Sequence, residues 1–558
     1  MTDRSRRRGQ AQGRRGARDR AGRRDAARRL RRHPDLERCQ RGPARANGGD
    51  STYADLPLGP PRNASKSEIF SDFLQAATSS DGDYAIAREF LTKSAAKNWD
   101  PTKSVLIREK PATAQDLGDN SVAYPVSTRA SINSLGVYSE QDTDSTQTLS
   151  YSFSKVDGQW RISTLPDGIV LSRNSFDNFF GSYPVYFFDP DYRFLVPDVR
   201  WFPTGATIQD RIVSALLAGP ADWLQHGVVS SAVPPGLKLA SPVTVHDSTA
   251  TVDFTADIAT SLRARLRQQL QQSLQTANIT DVTMTANGAP ITVSDPQSST
   301  AQPAVAVDNS PLLQRGKQFG FYPRLESLGT VSAQVVALNG TAATLDRSQA
   351  TAAVLASAGV YLVTGSGQPR LVDSRPNLIA PSIDPFGYVW SAPSTDASAI
   401  QATGADGIVH SIVSTVPGQS NIVSLDVSHD GTRLLLYVST GAGPRLIVAG
   451  IVRQAGVPTS LGTLLDLPVS SAQPIDATWV DPSTVAALGL DGDQDSIISY
   501  VIGGPPGEPT TTVGGVHIVG GGDANSLRLI TTDGQVEQLR ASGWQDIGVS
   551  ASILATQQ

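Results

Sequence analysis

The chain has 558 residues, 39% of them apolar and 18% charged, with 49 Gly and 36 Pro. That length holds about two to four domains with full cores and excludes a single small module. The formal charge of −5 hides an asymmetry: residues 1–50 carry 17 Arg and no Lys against six acids, leaving 30 basic and 46 acidic residues in a body that repels nucleic acid. The single cysteine, Cys39, excludes an internal disulfide, and no apolar window of about 18 residues supplies a transmembrane helix.

Residues 1–57 have no hydrophobic periodicity and few large apolar residues, which predicts a disordered Arg-rich segment. From "NASKSEIFSDFLQAA" the texture changes. Ser65 and Glu68 form an S-x-x-E capping box, and Ile69, Phe70, Phe73, Leu74 and Ala77 form an apolar stripe. A second helix follows in "DYAIAREFLT", then strand-like runs "SVLIRE", "VAYPVSTRASI", "TQTLSYSFSKV" and "QWRISTL". Two helices on a curved antiparallel sheet, residues 60–180, make the simplest α+β domain. A second α+β unit, residues 181–300, opens with strands either side of Asp189-Pro190-Asp191-Tyr192. Its helix "TIQDRIVSALLAGP" carries a Thr207 cap and a Gly219-Pro220 stop; the strand "TATVDFT", a helix faced by Leu262, Leu266, Leu270 and Leu274, and the strand "DVTMTA" complete it.

After the polar segment "SDPQSSTAQPAVAVDNSP" helix signals nearly vanish and a motif recurs: "APSIDPFGYVWSAP", "SLDVSHDGTRLLLYVS" and "DATWVDPSTVAALGL", each a strand, a turn and a second apolar strand. Gly387 and Gly431 lie 44 residues apart, one four-stranded blade per repeat, with "AATLDRSQATAAVLAS" and "WQDIGVSASIL" as weaker copies at either end. Residues 310–558 therefore predict a β-propeller of five to seven blades, with a large sandwich as the alternative. The fold class is multidomain and mainly β, two small α+β domains followed by this propeller.

The search for chemistry returns no catalytic, cofactor-binding or metal-binding residues. G-x-S-x-G, H-E-x-x-H and a complete phosphate loop are absent, and the six histidines, His33, His226, His246, His410, His429 and His517, show no ligand spacing. In "DGDQDS" the alternation of Asp491, Asp493 and Asp495 imitates a calcium loop, but Ser496 replaces its glycine and Ile502 its bidentate Glu, so a solvated turn is expected. Asp189 and Asp191 read as a turn before they read as paired acids. Trp390, Trp479 and Trp544 read as wedges between blades rather than a ligand-stacking funnel, and Arg263, Arg265 and Arg267 as a solvated helix face rather than a partner surface. Pro234-Pro235-Gly236 reads as a structural turn.

"VYFFDPDYRFLVPDVRW", "SALLAGPADWL", "VVSSAVPPGLKL" and "TVDFT" resemble a GerM-type domain, and that domain ahead of a propeller with "VSHDGTRLLLY" resembles the LpqB family of actinobacterial lipoproteins. The resemblance covers about 60–558, and 39 Arg against 8 Lys suits a GC-rich source. It implies an outward-facing, lipid-anchored protein of the cell membrane that is not an enzyme, takes no cofactor and regulates a protein partner, the extracytoplasmic part of a two-component sensor kinase. The competing readings are a glycan- or peptide-active enzyme, or a glycan binder, using the propeller pocket, and a nucleic-acid binder using the arginine arm. Asp35-Leu36-Glu37-Arg38 ahead of Cys39 form no lipobox, so lipidation there is not assigned. Residues 1–57 are instead expected to be a mistranslated or frameshifted signal region, and no nucleic acid is expected as a partner.

Overall fold

The computed structural model describes residues 58–140, 145–294, 300–302, 307–418, 420–541 and 543–558; the expectations for residues 1–57, Cys39 and His33 included, lie outside them. Among the described residues no helix is long and apolar enough to cross a membrane.

Lys66–Ala76 is a helix because its first turn is closed on both sides. The Ser65 hydroxyl accepts from the Glu68 amide, and the Ser65 amide donates to the Glu68 carboxylate at 2.7 Å. Its stripe is buried at Ile69, Phe70, Phe73 and Ala76, and Phe70 meets Tyr124 and Tyr151 edge-on at 5.2 and 4.8 Å. The domain differs from the sequence expectation in two respects. Helices at Lys93–Asn98 and Arg173–Phe179 join the expected pair. The sheet also contains one parallel pair, Ser104–Arg108 with Ile169–Ser172. Strands 104–108, 121–133, 146–156 and 159–164 alternate in direction, so the next strand returns in the direction of the first and docks at its free edge.

The second domain opens with a full-length hairpin, Phe180–Phe188 against Leu195–Pro203. Helix Ile208–Ala218 buries Ile212, Val213 and Leu216 and ends at Gly219, whose φ of 97° is open to glycine. Thr207 is the N-cap but makes no side-chain bond to the helix; with φ −102° and ψ 15° it lies outside the extended geometry that aims a capping oxygen at the first turn. Asp210 is engaged elsewhere, accepting from the Val243 amide at 2.6 Å. Thr249–Phe254 and Asp281–Ala286 run parallel, linked by helix Thr260–Leu274, whose Leu266, Leu270 and Leu274 are fully buried.

Beyond residue 307 the described chain forms six four-stranded β-arrays around one axis. Five use consecutive strands, within 342–373, 382–411, 421–467, 473–512 and 515–550. The sixth is composite: Ile553–Gln557 is its inner strand, and Leu312–Arg315, Gln318–Phe321 and Glu326–Ser327 complete it. The inner strands of neighbouring arrays touch all the way round, so this is a six-bladed propeller closed by pairing its last strand with its first three. "WQDIGVSASIL" is accordingly not a repeat copy. It spans the outer strand Gly543–Ser550 of one blade and the start of the inner strand of the next. One α-helix, Thr330–Leu338, interrupts the β pattern; it has Gly329 at its N-cap and no charged residue in its first or last turn, and it ends on Asn339 in the left-handed conformation ahead of Gly340.

The three domains are joined by buried contacts. Arg200, at 1% side-chain exposure, pairs with Asp198 at 2.6 Å and donates to the carbonyls of Leu135 in the first domain and Gly219 in the second. The Trp201 indole donates to the Gly503 carbonyl of the propeller at 2.9 Å. Val228 seats against Gly450, where a Cβ would come within 2.4 Å of it, so the glycine makes room for the second domain. Arg193, Phe194 and Gln302 reach Phe386 and Arg347. Phe386, Arg347 and Gly503 lie in turns at the ends of the inner strands and in the loops on the same side. The second domain therefore covers one face of the propeller.

Candidate functional site in the propeller channel

The inner strands project Asp426, Asp476, Thr478 and His517 toward the propeller axis. Asp476 is the centre of this group: one carboxylate oxygen accepts from the His517 Nδ1 at 2.5 Å and from the Ile518 amide at 2.9 Å. Asp426 is buried one blade earlier and accepts from the Ser382 hydroxyl at 3.1 Å, the Thr478 hydroxyl at 3.2 Å, the Trp479 amide at 3.3 Å and the Gln558 amide at 2.5 Å. Burial pushes the Asp426 carboxyl up to about 7, against the lowering effect of these donors. For His517, burial pulls the imidazole down, but the Asp476 carboxylate outweighs it and holds the ring above its ordinary value.

The channel has two unlike segments. A cavity of about 670 Å3 opens at the starts of the inner strands, lined by Asp476, His517, Thr532, Asp533 and Ser552 among apolar walls from Ile475, Val516 and Leu554. Below it the channel narrows to about 20 Å3 between Thr344, Asp426, Thr478 and Thr556. The nearby hydroxyls are committed to protein acceptors: Thr344 to the Pro381 carbonyl, Ser424 to the Ala477 carbonyl, Thr478 to Asp426. The arrangement therefore offers hydrogen-bond acceptors and an imidazole in a walled recess, without a serine or threonine hydroxyl on His517.

The sequence-level candidates fall mostly into structural roles. Asp189 accepts the amides of Asp191, Arg193 and Phe194, so it orders the hairpin turn. Trp390 and Trp479 are buried and donate to the Asp384 carboxylate and the Asp426 carbonyl, and Trp544 donates to the Thr510 hydroxyl. They pack within and between blades. Arg263 pairs with Asp257 at 3.1 Å and Arg265 stacks on Tyr192 at 3.9 Å, so neither is a bare cationic face. Asp491 and Asp493 sit in a strand turn, while the buried Asp495 accepts the Gly515 amide at 2.6 Å. Pro234-Pro235-Gly236 is a turn, Gly236 at φ 77°. Among the histidines His246 pairs with Asp247, His410 meets Tyr388 edge-on, and His429 bonds the Gln557 carbonyl.

The Asp476–His517 pair escapes a search for short ligand spacing because 41 residues separate its members. The signal that finds it is the blade period: side chains near equivalent positions of successive inner strands meet at the axis.

An α+β domain locked to one face of a closed six-bladed propeller, a further α+β domain tied to it, and a polar recess on the other face define a multidomain propeller protein built around an accessible channel mouth. The chain matches the model of the lipoprotein LpqB N-terminal domain over 59–177, that of a sporulation and spore germination domain over 184–292, and that of the lipoprotein LpqB β-propeller domain over 325–551. It belongs to the LpqB family. The lipoprotein LpqB of Cutibacterium acnes is 27% identical over 491 residues, covering 80% of this chain and 81% of that protein. Those of Corynebacterium diphtheriae and Nocardia farcinica are each 32% identical, over 200 and 179 residues, and the matched stretch spans only 34% and 28% of their lengths.

Proposed function

We propose that this protein is a non-enzymatic, outward-facing envelope protein of the lipid-anchored type that binds and modulates the extracytoplasmic domain of a two-component sensor kinase. The observation that carries this reading is the division of the propeller's faces: one is occupied by the protein's own second domain, and the other presents loops around an open recess. Propeller loops vary without disturbing the blades, which suits such a face to a macromolecular partner. Naming as lipoproteins is a property of the relatives, and anchoring of this chain follows from family membership. The test is direct binding of the full-length protein to the purified extracytoplasmic domain of the organism's sensor kinases. Saturable binding to one of them supports the reading, and absence of binding to all of them removes it.

A second reading, an enzyme acting on cell-wall glycan or peptide, is favoured by one observation: Asp426, Asp476 and His517 converge on the channel. Turnover of peptidoglycan fragments by the wild type, lost in His517→Gln, is the result that would support it.

A further inference from the structure

The recess and what lies below it differ in a way that restricts what can enter. The mouth is wide, the channel below it is about 20 Å3, and the far end is covered by the second domain. An occupant that enters from the open mouth meets this constriction and must end in a slim tip.

The chemistry of the walls narrows the choice further. The titratable groups lining the recess are Asp476 and His517 from inner strands and Asp533 from a turn, with Asp426 beneath; among the described residues no lysine or arginine lines it. Asp476 spends one oxygen on His517 and Ile518, and its other oxygen, on a side chain only 10% exposed, has no protein donor among the described residues. Asp533 likewise spends one oxygen on the Thr531 hydroxyl. Two acidic side chains, Asp476 and Asp533, thus face one imidazole, so the lining is acidic in composition. Apolar walls from Ile475, Val516 and Leu554 line the same recess, so it has an acidic zone and an apolar one. An aliphatic stem ending in a positive charge satisfies both zones, since lysine and arginine bury their methylenes along apolar surface while the head finds its partners.

We infer that the open mouth of the propeller channel receives a lysine or arginine side chain carried on an extended segment of the protein partner. The inference rests on the partner-binding reading above and names the chemistry of its contact. A polypeptide source, rather than a free amine, is indicated at the rim. Val513, on the loop that leads into the His517 strand, and Val516, near that strand's start, stand 75% and 44% exposed, an apolar shelf for residues flanking the inserted side chain.

The test titrates the full-length protein with blocked pentapeptides, Ala-Ala-X-Ala-Ala, in which X is lysine, norleucine or glutamate, and with n-butylamine. The lysine peptide is expected to bind at least about tenfold more tightly than the other three probes. Asp533→Asn, on an exposed turn, and Asp476→Asn are each expected to weaken the lysine peptide about five- to tenfold, and added salt to weaken it further. Equal affinity for the three peptides, or no binding of the lysine peptide, overturns the inference. An n-butylamine affinity matching the lysine peptide overturns its polypeptide part. If a sensor-kinase domain binds wild type, Asp533→Asn and Asp476→Asn equally well, the channel contact is wrong while the partner reading stands. If the lysine peptide binds and no kinase domain does, the partner reading falls and the site remains.

Discussion

The guanidinium of Arg193, in the hairpin turn of the second domain, lies 4.6 Å from the ring centre of Phe386 in the propeller. Arg453 faces the same ring at 4.3 Å and is held there by Asp384 at 2.5 Å. One aromatic ring thus sits between two cations contributed by two domains, and Phe194 meets it edge-on at 6.3 Å. Replacing Phe386 by alanine removes both cation–π contacts and the packing with Phe194. A loss of about 2–4 kcal/mol in urea-induced unfolding is expected, together with faster proteolysis between the domains. A change within about 0.5 kcal/mol would show that the ring is not part of the lock.

Gly450 and Val228 give a test of the same interface by size. A methyl group at Gly450 would sit 2.4 Å from Val228, so Gly450→Ala forces the second domain away from the propeller. Gly450→Ala alone should cost about 1–3 kcal/mol, and adding Val228→Ala should recover part of it. Additive losses in the double-mutant cycle would mean that the two positions do not oppose each other.

The buried Asp198–Arg200 pair predicts a sharper loss. The Asp198 carboxylate also accepts the Ala221 amide at 2.7 Å, and Arg200 spans the first two domains. Asp198→Asn leaves the guanidinium without its counter-charge and should destabilise the chain by about 3–5 kcal/mol, measured by chemical denaturation. A smaller effect than that of an exposed pair such as Arg324–Glu326 would contradict the assignment.

Asp426 makes a prediction about pH. Its carboxyl is pushed from 3.8 up to about 7, so the folded state holds a proton that the unfolded chain releases. The resulting stability is fully present below 3.8 and is lost as pH rises toward about 7. His517, held above 6.5, acts with the same sign at the upper end of this range. His429, pushed below 6.5 by burial, acts in the opposite sense, its contribution being lost as pH falls. The clean measurement is therefore a difference: the Tm of wild type minus that of Asp426→Asn should fall as pH is raised from about 5 to about 8. A difference that stays constant or grows contradicts a raised Asp426.

The parts of the fold that local patterning controls were legible in the residues. Ser65 with Glu68, the leucines at 266, 270 and 274, and the strand–turn–strand copies around Gly387 and Gly431 each follow from spacing alone. What escaped depends on contacts distant in sequence. The composite last blade joins Gln314 to Ile553, which no local pattern announces. Thr330–Leu338 has an Asn339-Gly340 stop but no polar N-cap or charged end, and packing of Val331 and Val335 against the propeller holds it. The channel residues were overlooked for the same reason: Asp426, Asp476 and His517 are unremarkable singly and acquire meaning only when blades bring them to one axis.

The division of the propeller's faces is tested most directly by amide hydrogen exchange on the full-length protein bound to its sensor-kinase domain. The account predicts new protection at 513–517, 531–534 and 551–554, around the open mouth, with 385–387, 429–432 and 502–504 unchanged. Protection confined to the second group, on the face that the second domain already covers, would contradict it.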